Sequence, residues 1–137
     1  MSRPLYESAS DRANEQAVAD VLLERWRCSA VKLPISYELD YALTRNGTVM
    51  AWAEVKCRRV AREHYPTYMI SLRKVLAGLA MAERTNLPFI LLVQWTDALG
   101  WVTPATRNIQ LGGRHDRGDS ADVEPVIHVP IAEFKLL

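Results

Sequence analysis

The sequence has few of the residues that cross-link a chain or anchor it in a membrane. Only two of its 137 residues are cysteines, Cys28 and Cys57, and neither shows a zinc-ligand spacing. Two cysteines are too few for a disulfide framework, so we expect reduced, buried thiols. No apolar run approaches the roughly 20 residues that span a bilayer, and residues 1–8 lack the pattern of a secretory signal. These absences favour a cytoplasmic protein without a membrane partner.

An excess of charge of either sign is also absent. Lys and Arg number 17 and Asp and Glu number 16, so the formal net charge is +1 and indicates neither a nucleic-acid nor a membrane partner. The 49% of hydrophobic residues and 24% of charged residues are typical of a globular protein. We therefore expect a single domain over residues 1–137.

Apolar periodicity and turn residues predict a mixed α/β fold. Helical spacing predicts helices over about 11–27 and 71–85, the second ending at Asn86. The predicted strands cover 31–35, 38–44, 48–57, 88–95, 101–103 and 126–129. Residues 60–67 and 104–125 are predicted to be loops, and 130–134 a short terminal helix. This order indicates one mixed β-sheet with helices on its faces.

The most informative segment is the predicted hairpin around Asn46-Gly47. Glu54 and Lys56 point to one face of its second strand, because side chains alternate along a strand. Asp40 on the first strand joins that face if the loop has an odd number of residues or if a bulge intervenes. A regular two-residue Asn46-Gly47 turn places Asp40 on the opposite face.

Two carboxylates and an ammonium group on an otherwise apolar hairpin indicate a chemical site. A buried carboxylate costs several kcal/mol unless it is paired or bound to a metal. Two neighbouring carboxylates suit Mg²⁺ or Mn²⁺, and Lys56 could orient a water or stabilise charge on a phosphate. The alternative interpretation is a surface Glu–Lys pair, worth less than about 1 kcal/mol.

These residues resemble the PD-(D/E)xK nuclease superfamily over about Ser10 to Trp95. Asp40, Glu54 and Lys56 match its motif, although Leu39 stands where the motif has proline. The order of elements is also similar, and Glu15 on the first helix matches a glutamate that many members carry. The small Holliday-junction-resolvase and VRR-NUC-like branch is the most similar, and the small size suggests a phage or mobile-element protein.

The resemblance implies a restriction-endonuclease-like core with elements in the order α-β-β-β-α-β. It implies an endonuclease in which Asp40, Glu54, Lys56 and Glu15 are catalytic. Asp40, Glu54, Glu15 and the Val55 carbonyl would bind Mg²⁺ or Mn²⁺. The implied substrate is DNA, including branched or structured DNA, and a homodimer is the implied assembly.

Basic residues are concentrated after the motif. Six cations lie within residues 56–74, and the only acidic residue after Lys56 in that segment is Glu63. Five of them are predicted to contact nucleic acid, and an ordinary solvated loop is the alternative. The five residues are Arg58, Arg59, Arg62, Arg73 and Lys74.

A second hypothesis belongs to another functional class. A nuclease fold without activity could serve as a nucleic-acid or protein binding module, in which case binding would not need the carboxylates. RNA is a further candidate substrate.

Overall fold

The computed structural model describes residues 9–113 and 123–137. The helices are α1 (Ala9–Trp26) and α2 (Leu72–Thr85). The first strands are β1 (Ser29–Lys32), β2 (Tyr41–Arg45), β3 (Thr48–Cys57), β4 (Thr67–Ser71) and β5 (Phe89–Gln94). They are followed by β6 (Leu99–Val102), β7 (Ile109–Gly113), β8 (Val123–Pro130) and β9 (Lys135–Leu136).

The main sheet has six strands in the order β1-β2-β3-β5-β6-β9. Strands β3 and β5 are parallel, and the other neighbouring pairs are antiparallel. A parallel pair needs a crossover connection, and α2 lies within the segment that joins β3 to β5. The mixed sheet with a helix on each face confirms the predicted fold class.

The two helices pack on opposite faces of this sheet. Val18 and Leu22 of α1 join a core cluster with Ala53 and Val55 of β3. Val75 of α2 joins a second cluster with Leu91 and Val93 of β5 and with residues of β4 and β8. Because side chains alternate along a strand, Glu54 lies on the α2 face of β3.

A second sheet, in the order β4-β8-β7, corrects the expectation of a single sheet. The predicted 60–67 loop ends in β4, and the predicted 104–125 loop contains β7 and the start of β8. Strand β7 and the start of β8 were missed because Gly112, Gly113 and Pro125 are typical of loops, and only pairing with neighbouring strands stabilises them here. The rest of β8 agrees with the strand predicted over 126–129. Residues 114–122 lie outside the described part of the chain.

Two smaller differences have local causes. Strand β1 ends at Lys32, before the position predicted, because Pro34 begins a short 3₁₀ turn over Ile35–Tyr37. The predicted terminal helix is a single 3₁₀ turn, Ile131–Glu133, that follows Pro130. Helix α2 ends as predicted, with Asn86 in the left-handed region at φ 57°.

Candidate active site

A β-bulge in the β2–β3 hairpin determines which side chains share a face. Asn46 and Gly47 have φ values of 52° and 79° and form a two-residue turn, because Arg45 pairs with Thr48. The register shifts by one residue beyond Thr44, so that Leu43 pairs with Ala51 and Tyr41 with Ala53. The same register, continued by one residue, sets Asp40 opposite Glu54. The sequence offered two arrangements that unite the acids, and the structure has the one with a bulge.

Glu54 is a fully buried acid. Its exposed fraction is 0%, and it is the only polar or charged residue in the buried class among the described side chains. Neither Oε1 nor Oε2 accepts a hydrogen bond from the protein. Burial, and next the nearby negative charge of Asp40, raise the pKa of Glu54 from 4.5 to about 7.

Asp40 is attached to the backbone of the strand that carries Glu54. Its Oδ2 accepts a hydrogen bond of 3.2 Å from the Val55 N–H. The N–H and C=O of one residue in an antiparallel ladder face the same neighbouring strand, so the Val55 carbonyl also points towards the Asp40 side. Strand β2 begins only at Tyr41, so this carbonyl lies past the end of the β2–β3 ladder.

Two lysines bring positive charge to the acids. Lys56 lies on the Glu54 face of β3, close enough to lower the pKa of Glu54 in part. Lys74 reaches the site from α2, with its Nζ 3.6 Å from Glu54 Oε1. The same Nζ donates a hydrogen bond of 3.1 Å to the Glu38 carbonyl. The Glu54 carboxylate is therefore partly neutralised, although both its oxygens lack a hydrogen-bond donor.

This donor set fits a hard divalent cation. A buried carboxylate without hydrogen-bond donors, a second carboxylate beside it and an outward-facing backbone carbonyl are the oxygen ligands that Mg²⁺ and Mn²⁺ accept. Within residues 9–113 and 123–137 there is no group of three or more His, Cys, Asp or Glu side chains with metal-binding geometry. The protein ligands present are thus two carboxylates and a carbonyl, which suits an ion that keeps several waters.

Glu15 does not join this pair of acids. It lies on the same face of α1 as Val18 and Leu22, and therefore on the other face of the main sheet from Glu54. Its Oε1 is 3.4 Å from the Nζ of Lys32, at the end of β1 that pairs with Tyr41. Glu15 is thus at the Asp40 end of the sheet but belongs to a separate ion pair, and its catalytic role stays a prediction.

The five cations predicted to contact nucleic acid occupy different environments. Arg58 donates to the Tyr68 hydroxyl at 2.8 Å, and its guanidinium lies over that ring. Arg62 has a side chain only 19% exposed and donates to the Ile131 carbonyl at 3.2 Å. Arg59 and Arg73 are exposed, whereas Lys74 lies in the acidic site.

The two tyrosines of the same 56–74 segment, Tyr65 and Tyr68, also have different environments. Tyr65 is 59% exposed, whereas Tyr68 is 4% exposed and packs in the core beneath Arg58. Only the first of these rings is accessible to a base.

Sequence reasoning missed the contact between Lys74 and Glu54. Residues of the two elements are far apart along the chain, and the contact depends on the direction in which α2 crosses the sheet. The signal available in the sequence was a lysine at the third position of a helix that follows the motif strand. It predicted a contact with nucleic acid and did not specify a protein carboxylate.

The family assignment rests on the whole sequence. Residues 1–137 match the family described as "Phage putative PDDEXK endonuclease". The chain belongs to this family. Its membership of a PD-(D/E)xK endonuclease family confirms the predicted superfamily and its restriction-endonuclease-like core.

The chain is also similar to the Holliday junction resolvase Hjc of Archaeoglobus fulgidus, solved at 1.6 Å. Sequence identity is 18%, the TM-score is 0.49, and the match covers 69% of this chain and 71% of that chain. No curated protein matches significantly. None of the helices in the described segments has the length and apolar character needed to cross a membrane.

Proposed function

We propose that this chain is a divalent-metal-dependent endonuclease that hydrolyses phosphodiester bonds in DNA, including branched or structured DNA. The observation that carries the proposal is the closeness of Asp40 to the buried Glu54, with Lys56 on the same face of β3. A purely structural role does not account for a buried carboxylate whose oxygens have no hydrogen-bond donor.

Asp40, Glu54 and the Val55 carbonyl would hold Mg²⁺ or Mn²⁺. When bound there, the ion would supply a water of lowered pKa and would polarise a phosphodiester. The protein excludes water from one side of the ion, because Glu54 is buried between the sheet and α2. Ion binding also removes the repulsion between two carboxylates that otherwise share one small region.

Lys56 acts on the reacting groups. Its ammonium can donate a hydrogen bond to the attacking water or to a non-bridging oxygen of the phosphate, where negative charge develops. Arg59 and Arg73 are exposed residues of the basic 56–74 segment, and they would contact the backbone phosphates of the substrate. The cytoplasm as its location and a homodimer as its assembly remain part of this proposal.

Cleavage assays test the proposal. The purified protein is incubated with Mg²⁺ or Mn²⁺ and with duplex, single-stranded and four-way-junction DNA, and with RNA of matching sequences. We expect metal-dependent cleavage of DNA. The Lys56→Ala variant should lose about 100-fold or more in kcat, as when one transition-state donor is removed.

The matched control is Lys135→Ala, which removes an exposed lysine on β9 that lies over the Trp101 ring. This variant should cleave as the wild type does. If no substrate is cut with either metal, the activity is refuted. If DNA binding is also unchanged in Asp40→Ala and Glu54→Gln, the non-catalytic binding module takes its place. Cleavage of RNA alone would change the substrate and keep the site.

A further inference from the structure

The turn that leads into Asp40 exposes two large apolar side chains beside the acidic pair. Ile35 is 78% exposed, the highest value among the large hydrophobic residues of the described chain, and Tyr37 is 51% exposed. Both belong to the 3₁₀ turn Ile35–Tyr37. Tyr37 precedes Asp40 by three residues, which is at most about 11 Å of extended chain. Exposed apolar surface of this kind is typical of a contact with a partner or a ligand.

Hydrogen bonds fix this turn to the active site. The Tyr37 and Glu38 N–H groups donate to the Pro34 and Ile35 carbonyls, and the Leu33 N–H donates to the Asp40 carbonyl at 2.8 Å. Glu38 has φ 60°, a conformation that costs free energy for a residue other than glycine. Hydrogen bonds therefore hold the backbone that carries the two apolar side chains in one conformation.

Lys74 connects the turn with the buried acid. Its Nζ is 3.6 Å from Glu54 Oε1 and 3.1 Å from the Glu38 carbonyl oxygen. One ammonium group thus holds both the carboxylate and the end of the turn. The position of the turn relative to the carboxylates is set before any substrate arrives.

A groove of about 480 Å³ lies beside the same turn. Glu38 forms one wall, and the apolar lining comes from α2 and β8. The apolar lining residues are Leu72, Leu76, Ala77 and Pro125. Its polar rim includes the carboxylates of Glu38 and Glu124, which can accept hydrogen bonds from the amino groups of a base, and the guanidinium of Arg73, which can contact the phosphate of the same nucleotide. The chemistry of the groove therefore fits a nucleotide whose base enters it.

We propose that the Ile35–Tyr37 turn contacts the bases next to the scissile phosphate and that the adjacent groove receives one unstacked base. The favoured substrate is then DNA with an unpaired or weakly stacked nucleotide at the cut site. Apolar side chains that enter a base step, and aromatic rings that stack on bases, are established ways of holding such a nucleotide. This inference rests on the proposed function, because DNA is taken as the substrate.

Binding measurements test the inference without requiring cleavage. Two DNA duplexes of the same sequence are compared, one fully paired and one with a single unpaired 2-aminopurine, in Ca²⁺. The wild type should bind the second duplex at least about 10-fold more tightly, within the range that base stacking supplies. The fluorescence of 2-aminopurine should change on binding as its stacking changes.

Two variants remove the proposed base contacts, one in the Ile35–Tyr37 turn and the other in the groove. The double variant Ile35→Ser, Tyr37→Ser changes only exposed side chains, so it should fold, and it should lose most of the 10-fold preference and the fluorescence change. Leu76→Glu places a charge in the groove at a position that is 50% exposed and should have the same effect. The control Leu23→Ser alters an exposed residue of α1, across the sheet, and should leave both signals unchanged.

Several results would overturn the inference. They are equal binding of the two duplexes by the wild type, or an unchanged preference in both the double variant and Leu76→Glu. Loss of self-association in the double variant with DNA binding unaltered would assign the turn to a contact between copies. If the preference is found but no DNA is cut in Mg²⁺ or Mn²⁺, the base contact stands and the proposed catalytic function fails.

Discussion

Replacement of Glu54 by glutamine should stabilise the metal-free protein at neutral and alkaline pH. Glutamine keeps the shape of the side chain and removes the buried charge, and its amide can donate to the Asp40 carboxylate. The pKa of Glu54 is raised from 4.5 to about 7 in the folded protein. At about 1.4 kcal/mol per pKa unit, this difference corresponds to about 3 kcal/mol in the free energy of unfolding.

The sign of the pH dependence follows from proton binding. Between pH 4.5 and about 7 the folded protein holds the Glu54 proton more tightly than the unfolded chain does. The contribution of this proton to stability is therefore fully present below pH 4.5 and is lost as the pH rises through about 7. The free energy of unfolding of Glu54→Gln minus that of the wild type should therefore be larger above that pH than in acid. The expected increase is of the order of 3 kcal/mol.

Urea denaturation in the presence of EDTA measures this difference. Wild type and Glu54→Gln are unfolded at acidic pH and again above neutral pH, and the two free energies of unfolding are subtracted at each pH. The subtraction cancels groups that titrate alike in both proteins. Glu63→Gln is the matched control, because the Glu63 side chain is 85% exposed. A wild-type minus Glu54→Gln difference that does not vary with pH would refute the reasoning.

Addition of metal should reverse the order of stability. Mn²⁺ at 100 times its dissociation constant should stabilise the wild type by about 2.7 kcal/mol, as linkage requires for any ligand of the folded state. Glu54→Gln lacks one of the two carboxylate ligands and should gain far less. Equal shifts in Tm for both proteins would place the ion elsewhere.

Three further predictions concern single residues around the site. In Gly78→Ala the added Cβ would clash with the Phe89 ring, so overpacking should cost about 1 to 3 kcal/mol in urea denaturation, and an unchanged midpoint would contradict this packing. Lys74→Met should lower the stability of the metal-free protein at pH 8 by about 1 to 2 kcal/mol, because Glu54 then loses a cation 3.6 Å away, and the loss should disappear in the Glu54→Gln background. Arg59→Ala should weaken DNA binding and reduce the slope of log affinity against log salt by about 1, whereas an unchanged slope would place Arg59 away from the phosphates.

The elements of the core could be predicted from sequence because their signals are local. Apolar periodicity gave α2, Asn86 indicated its end, and Asn46-Gly47 indicated the hairpin between β2 and β3. Of the second sheet, only the strand over 126–129 in β8 was predicted in this way. Its strands include Gly112, Gly113 and Pro125, and their pairing partners lie elsewhere in the chain.

The site was predictable in composition but not in arrangement. The motif identified Asp40, Glu54 and Lys56, yet a two-residue turn alone would have separated Asp40 from the other two. The two-residue turn sets one register, and the core pairs Leu43–Ala51 and Tyr41–Ala53 follow a register shifted by one residue. The bulge supplies the extra residue that joins the two registers. Sequence patterns do not show how such a conflict is resolved.

The groove and the acidic pair are encoded in different parts of the chain. Pro125 and Glu124 reach the groove from β8 of the second sheet, more than sixty residues after the hairpin that carries the acids. Strand β8 pairs with β4 and β7 and not with the main sheet. Changes in this accessory layer can therefore alter the groove while the acidic pair stays intact, which would give the proposed nuclease a route to new targets without a new catalytic apparatus.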